Sequence, residues 1–174
     1  MKDGMLSFLS EESVNRHKEY MRIQKNRYSV MEKGTPKIKD KSLYEIFRMN
    51  LDRREKESFI SLKGEILAHD LYFNSFAESY RASGAVRQGH KSESSFLYRL
   101  YEEAKEADGG FLIIYKDNGQ INTYAGRDYC KIFIKREPVL AVDICEHAYF
   151  CDYGFEKNEY LARALSVLDL SKLN

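Results

Sequence analysis

The 174-residue sequence predicts an α+β fold, with a long N-terminal α-hairpin followed by an α/β part in which helices flank a small three-stranded antiparallel sheet. Three observations carry this expectation. Apolar residues recur at helical spacing through most of the N-terminal half. The period then changes to extended runs on either side of Asp117-Asn118-Gly119, where Asn-Gly is a strong hairpin signal. Helical spacing returns from Ile144 onward, so the order is helices, strands, helices.

Ser10, followed by Glu11, Glu12 and Ser13, reads as an N-cap with an acidic first turn, opening a helix over 10–32 that Gly34, Thr35 and Pro36 close. Residues 41–51 (KSLYEIFRMNL) read as a short helix, and 55–80 as a long one running to Ser83-Gly84. A further helix over 91–107 ends at Asp108-Gly109-Gly110. FLIIYKDNGQINTYA supplies two strands, and Pro138 opens a third, VLAVD, too apolar to have a wet face. The remainder, EHAYFCDYGFEKNEYLARALSVLDL, is helical. The expected division is a helical-hairpin domain over 1–82 and an α+β domain over 83–174.

Hydrophobic residues make up 43% of the chain and charged residues 32%, an ordinary globular balance that excludes wholesale disorder. With 28 basic against 27 acidic residues the net charge is +1, which gives no electrostatic footprint for nucleic acid or an acidic membrane. No apolar run reaches the roughly 18–20 residues of a membrane span. The start, MKDGMLSFLSEES, lacks the pattern of a secretory signal. Cys130, Cys145 and Cys151 are an odd set without metal-finger spacing, which points to a reducing cytoplasm. Thirteen Tyr and ten Phe stand beside no Trp, so Tyr and Phe supply all the aromatic surface.

In a 3-4 frame, positions 14, 17, 21, 24, 28 and 31 of the first helix hold Val, His, Met, Gln, Tyr and Met. Positions 59, 62, 66, 69, 73 and 76 of the second long helix hold Phe, Leu, Ile, His, Phe and Phe. His17 and His69 therefore lie mid-helix on inward faces. Taken singly, each reads as a core histidine bonded to a carbonyl or a tyrosine. Asp143 ends the most apolar strand, where an unpartnered carboxylate is costly, and His147 follows one helical turn later. His17, His69, Asp143 and His147 are thus candidates for one interior metal site, with separate structural roles as the other reading. His90, in Gln88-Gly89-His90-Lys91, reads as a surface residue.

The run Asp143-x-x-Glu146-His147-Ala148-Tyr149 resembles the D-x-W-E-H-A-Y signature of the iron/manganese superoxide dismutases. Asp152, Tyr153, Tyr160 and Leu161 continue that pattern. LSEESVNRH is similar to the start of the family's first long helix, EILAHDLYFNSF to its N-H-x-x-F-W-x segment, and GGFLIIY to its G-W-x-W-L strand. The resemblance implies that His17, His69, Asp143 and His147 hold one iron or manganese per chain between the two domains, with solvent as a fifth ligand. Zinc fits the same nitrogen and oxygen donors as an adventitious occupant. The implied activity is conversion of superoxide to dioxygen and hydrogen peroxide, the metal cycling between +3 and +2. Glu146 resembles the glutamate that crosses a two-fold interface to a ligand histidine of a second subunit, which implies a homodimer or higher homo-oligomer.

Counted from His17, the family's interface histidine falls on Met21 and its gateway tyrosine on Lys25. The tyrosine that pairs with that histidine falls on Phe150. Tyr28 shares the face of His17 but stands about 16 Å along the axis, while Tyr20 is nearer at a less suitable angle. The glutamine that faces bound solvent falls on Glu65 in the iron-type position and near Arg127 in the manganese-type position. An ionised Glu65 cannot donate as an amide does. Lys25, Glu65 and Tyr28 are accordingly the candidate catalytic residues, with Glu146, Met21, Phe150 and Arg127 around or behind the ligands. The alternative function is a catalytically weak or inactive metal-binding relative on the same scaffold, used in metal storage, sensing or another redox role.

Overall fold

A computed structural model describes residues 4–84, 86 and 92–174. His90 lies outside the described residues.

Helix α1 spans Glu11–Gly34, and its N-cap Ser10 accepts a bond from the Ser13 amide through its hydroxyl. Helix α2 (Leu43–Arg48) opens with a complete capping box between Ser42 and Glu45. Helix α3 (Arg53–Phe73) starts at Asp52, whose carboxylate accepts the Arg54 and Glu55 amides. It ends seven residues before the expected position 80. Asn74 caps it, and the chain then leaves the helical path so that Phe76 can form a bridge to Leu168.

Helix α4 (Glu93–Glu106) leads into strands β1 (Phe111–Asp117) and β2 (Gln120–Gly126). Asn118 and Gly119 join these strands with φ of 50° and 77°, both left-handed, as a two-residue hairpin turn requires. Helix α5 (Cys130–Lys135) was not expected, because six residues are too few to display a helical period. Strand β3 (Glu137–Asp143), helix α6 (Glu146–Tyr153) and helix α7 (Lys157–Ser166) follow, and a 3-10 turn (Leu170–Leu173) ends the chain.

The sheet has the order β2-β1-β3, antiparallel throughout. Its central strand is sealed, with Phe111, Leu112, Ile113 and Ile114 at most 2% exposed. The main core joins these residues to Val14 of α1, Tyr72 of α3, Phe96 of α4 and Tyr160 of α7. A smaller cluster of Ile38, Ile46 and Phe59 gathers under α2, with Tyr28 and Met31 packed against it. The class is α+β, as the order of periods predicts. Its consequence for the site is the register of β1 and β3. Phe111 pairs with Asp143 at the end of β3, the strand against which α3 packs, and α1 packs on α3 in turn.

Candidate metal centre

Asp143 ends β3 with none of its surface exposed. Its Oδ1 accepts the Cys145 amide at 2.9 Å, which anchors the turn into α6 and leaves Oδ2 directed at three imidazoles. Oδ2 lies 3.3 Å from His17 Nε2, 3.3 Å from His69 Nε2 and 2.9 Å from His147 Nε2. The four donor atoms all fall within 4.8 Å of one another, an arrangement that can hold a metal ion. The chain thus brings His17 of α1, His69 of α3, Asp143 of β3 and His147 of α6 to one point.

The hydrogen-bond pattern favours a cation there. His17 Nδ1 and Nε2, His69 Nε2 and Asp143 Oδ2 are buried with no hydrogen-bond partner, although the nitrogens and Oδ2 are close. Buried polar atoms are ordinarily paired, and three of these orphans, His17 Nε2, His69 Nε2 and Asp143 Oδ2, converge as a donor set rather than a network. His69 Nδ1 lies 2.8 Å from the Glu65 carbonyl; donation there places the proton on Nδ1 and leaves Nε2 as a lone pair. Nitrogen and oxygen donors of this kind suit iron, manganese or zinc.

Electrostatics agree. Burial alone raises the Asp143 carboxyl, but His147, His17 and His69 together outweigh it and hold it well below its ordinary value. Burial lowers His17, which favours the neutral imidazole that a metal needs. Burial also lowers His147, but the Asp143 charge overrides it and the net shift is upward.

Aromatic rings wall the site. Tyr72 and Phe73 stand 5.3 and 5.2 Å from the His17 ring, and Phe111 stands edge-on to His69 at 4.9 Å. Behind Asp143, the Tyr160 hydroxyl donates to its carbonyl at 2.7 Å and lies 3.1 Å from the Tyr72 hydroxyl.

The other candidate residues are more scattered. Met21 is buried on α1, while Lys25 turns outward to pair with Asp70 Oδ1 at 2.7 Å. Tyr28 lies in the small cluster under α2, with its ring 6.1 Å from Phe59 and Lys63 over its face. Arg127 bonds the Asp108 carbonyl at 2.7 Å and is exposed, on the rim of a cleft it shares with His147. Glu146 is exposed beside that cleft, and Phe150 meets Phe155 edge-on, ring centroids 5.4 Å apart, with both rings exposed. Glu65 accepts the Tyr20 hydroxyl, and the Tyr20 ring reaches His147 and His69 at 5.1 and 5.8 Å. Tyr72 is a neighbour that sequence reasoning missed, and Tyr20 one that it set aside for its angle. Each stands three residues after a histidine, and that spacing was the available signal.

Residues 78–174, more than half of the chain, match the family described as iron/manganese superoxide dismutases, C-terminal domain. The chain belongs to this family. Among curated proteins, the iron superoxide dismutase of Cupriavidus metallidurans is 28% identical over 120 residues, covering 64% of this chain. The chain spans 60% of the length of that relative. The superoxide dismutase family is an oxidoreductase-type family, and on its scaffold this chain carries a four-residue cluster suited to a metal.

Proposed function

We propose that the chain is a superoxide dismutase working at one iron or manganese ion held by His17, His69, Asp143 and His147. The observation that carries this reading is the convergence of four donor atoms, three of them buried without a hydrogen-bond partner, on a chain of this family. When bound there, iron or manganese supplies one-electron chemistry, superoxide going to dioxygen in one half-reaction and to hydrogen peroxide in the other. Zinc fits the donors as an inert occupant.

The chain's own residues orient, shield and hold protons. Asp143 gathers the imidazoles, and the Glu65 carbonyl sets the His69 tautomer. Tyr72, Phe73 and Phe111 exclude water from one side. Tyr20, raised to about 12 by burial and by its bond to Glu65, keeps its proton at neutral pH. Lys25 sits on the surface pairing with Asp70, where it adds positive charge without reaching the donors. In this reading residues 1–82 and 83–174 are two parts that meet at the site, since the first supplies His17 and His69 and the second supplies Asp143 and His147.

The reading includes a cytoplasmic homodimer or higher homo-oligomer. Glu146 then reaches His147 of a second copy, and cover falls on a face that exposes 48% of Phe150 and 86% of Phe155. Three free cysteines fit the reducing compartment. Among the described residues, no helix is long and apolar enough to cross a membrane.

Met21, Lys25 and Phe150 favour a second reading, metal binding with little dismutation. Met21 and Phe150 carry no exchangeable proton, and Lys25 is engaged with Asp70. Elemental analysis of protein purified without added metal, paired with a superoxide-decay assay, separates the two. Bound iron or manganese with rapid decay supports the first reading. Bound metal with decay at the buffer rate supports the second. Metal content unchanged in Asp143→Ala overturns both.

A further inference from the structure

The total charge of +1 hides an uneven distribution. Residues 33–54, which join α1 to α3, hold seven basic side chains against three acidic ones. This segment lies outside residues 78–174, the part that matches the family. Two of its three carboxylates are used locally: Glu45 closes the capping box of α2 and pairs with Lys41, and Asp52 caps α3. Lys33, Lys37 and Lys39 are exposed and make no ion pair among the described residues.

Helix α2 sits within this basic segment on a fixed platform. Leu43 and Ile46 are buried beneath it, and the Lys63 ammonium donates to the Lys41 carbonyl just before its N-cap. Its opposite side carries Tyr44, Phe47 and Arg48, whose spacing of three and four residues puts them on one face. Tyr44 is 50% exposed and Phe47 is 45% exposed. Helix α5 packs on α2 and ends in Lys135, which is exposed and likewise without an ion pair. Two aromatic rings therefore stand in solvent on a rigid helix flanked by uncompensated cations. The metal centre is elsewhere: Phe59, which packs with Ile46, precedes His69 by ten residues, about 15 Å along α3.

Cations beside exposed rings suit two kinds of polyanion, a single-stranded nucleic acid or an anionic lipid surface. The rings decide between them. The Arg48 guanidinium lies over the Tyr44 ring at 5.9 Å and its Nη1 donates to the Tyr44 hydroxyl at 3.4 Å. It covers a ring face on which a base would stack, which leaves Phe47 as the one open platform. At a bilayer the same pair is well matched, because phenol and guanidinium both settle at the headgroup level while Phe47 enters the acyl boundary.

We infer that the outer face of α2, with Lys37 and Lys39 leading into it, is a peripheral docking surface for an anionic lipid bilayer. The lysines select for anionic headgroups and the two rings add a shallow apolar contact. Two half-exposed rings bury little area, so the attachment is reversible and salt releases it. This goes beyond the metal reading and stands or falls apart from it.

The test sediments the full chain with large vesicles of one part phosphatidylserine to two parts phosphatidylcholine, with pure phosphatidylcholine alongside. The parent should pellet with the anionic vesicles at about 0.1 M salt and stay in solution at about 1 M, where the Debye length falls from about 10 to about 3 Å. It should not pellet with phosphatidylcholine alone. Lys37→Gln combined with Lys39→Gln should lower partitioning by about 25-fold, since each basic group near an anionic surface is worth about five-fold. Phe47→Gln should lower it by about three- to ten-fold and leave the salt dependence unchanged. All three side chains are exposed or half-exposed, and melting temperatures confirm that the variants are folded. A parent that ignores anionic vesicles, or binds both kinds equally, overturns the inference, as does parental partitioning in the double lysine variant. Retention of a labelled oligothymidylate without vesicle binding overturns it in favour of nucleic acid.

Discussion

At the scale of single residues, the hydroxyl of Tyr160 ties α7 to the end of β3. Its one proton goes to the Asp143 carbonyl at 2.7 Å, so the Tyr72 hydroxyl at 3.1 Å is the donor toward Tyr160. Both rings are fully buried. Burial, with Tyr72 and Asp143 alongside, raises the Tyr160 phenol well above its ordinary value, so it remains a donor at any physiological pH. Tyr160→Phe keeps the packing and removes the acceptor for Tyr72 and the donor to Asp143. The expected loss is about 1–3 kcal/mol, seen as a lower urea midpoint with an unchanged m-value. A parental midpoint would show that the pair contributes nothing net. Residues of this kind differ in how far the sequence reveals them. His17 and His69 stand out because an ionisable group on an apolar stripe breaks a pattern, and Asp143 because it ends an apolar strand. Tyr20 and Tyr72 break no pattern. Aromatic residues are at home on either face of a helix, and their roles come from what the fold brings against them.

At the scale of elements, the contact of α3 with α5 depends on a missing side chain. A Cβ placed on Gly64 would lie 2.4 Å from Cys130 Sγ, which itself points at the Ile60 carbonyl of the same helix. Gly64→Ala gains helix propensity worth about 1 kcal/mol, but overpacking a closed contact costs about 1–3 kcal/mol, so the clash decides the sign. The single variant should unfold at lower urea than the parent. The double variant Gly64→Ala with Cys130→Ala should recover, because the sulfur that collides is gone and two touching residues are not additive. A double variant no more stable than Gly64→Ala would place the cost elsewhere. The same pair explains why α5 escaped the sequence. Six residues show too little periodicity to read, and the notch that receives them is a lone glycine in a helix, which looks like an imperfection. The end of α3 escaped for a related reason. Apolar spacing continues to Phe76, but the Phe76–Leu168 bridge and the Ser75 hydroxyl, which accepts the Ala141 amide at 2.8 Å, draw the chain out of the helix.

At the scale of the whole molecule, the site exists because distant parts of the chain are held in one frame. The main core carries much of this, since Val14 and Tyr72 share it with Leu112, Leu140 and Tyr160. A polar clasp adds to it at the surface: the Ser10 amide, at the start of α1, donates to Asp152 Oδ2 of α6 at 2.8 Å across 142 residues of sequence. The clasp joins the helix bearing His17 to the helix bearing His147. Partial burial of Asp152 raises its carboxyl, but the bonds from Ser10 and Ser13 outweigh that and leave it below its ordinary value of 3.8. A carboxyl depressed by folding stabilises the native state above its unfolded value, and that contribution is lost as the pH falls through the folded value. Asp152→Asn removes the charge and leaves an oxygen to accept the Ser10 amide. The gap in stability between parent and variant should therefore stay level from neutral pH down to about pH 4.5, then close on further acidification as the parent's own carboxyl becomes neutral. Urea midpoints measured at intervals from pH 7 to about pH 3 follow that gap. A gap that is absent at pH 7, or that persists unchanged at the acid end, would mean that the charge on Asp152 does not help to join α1 to α6.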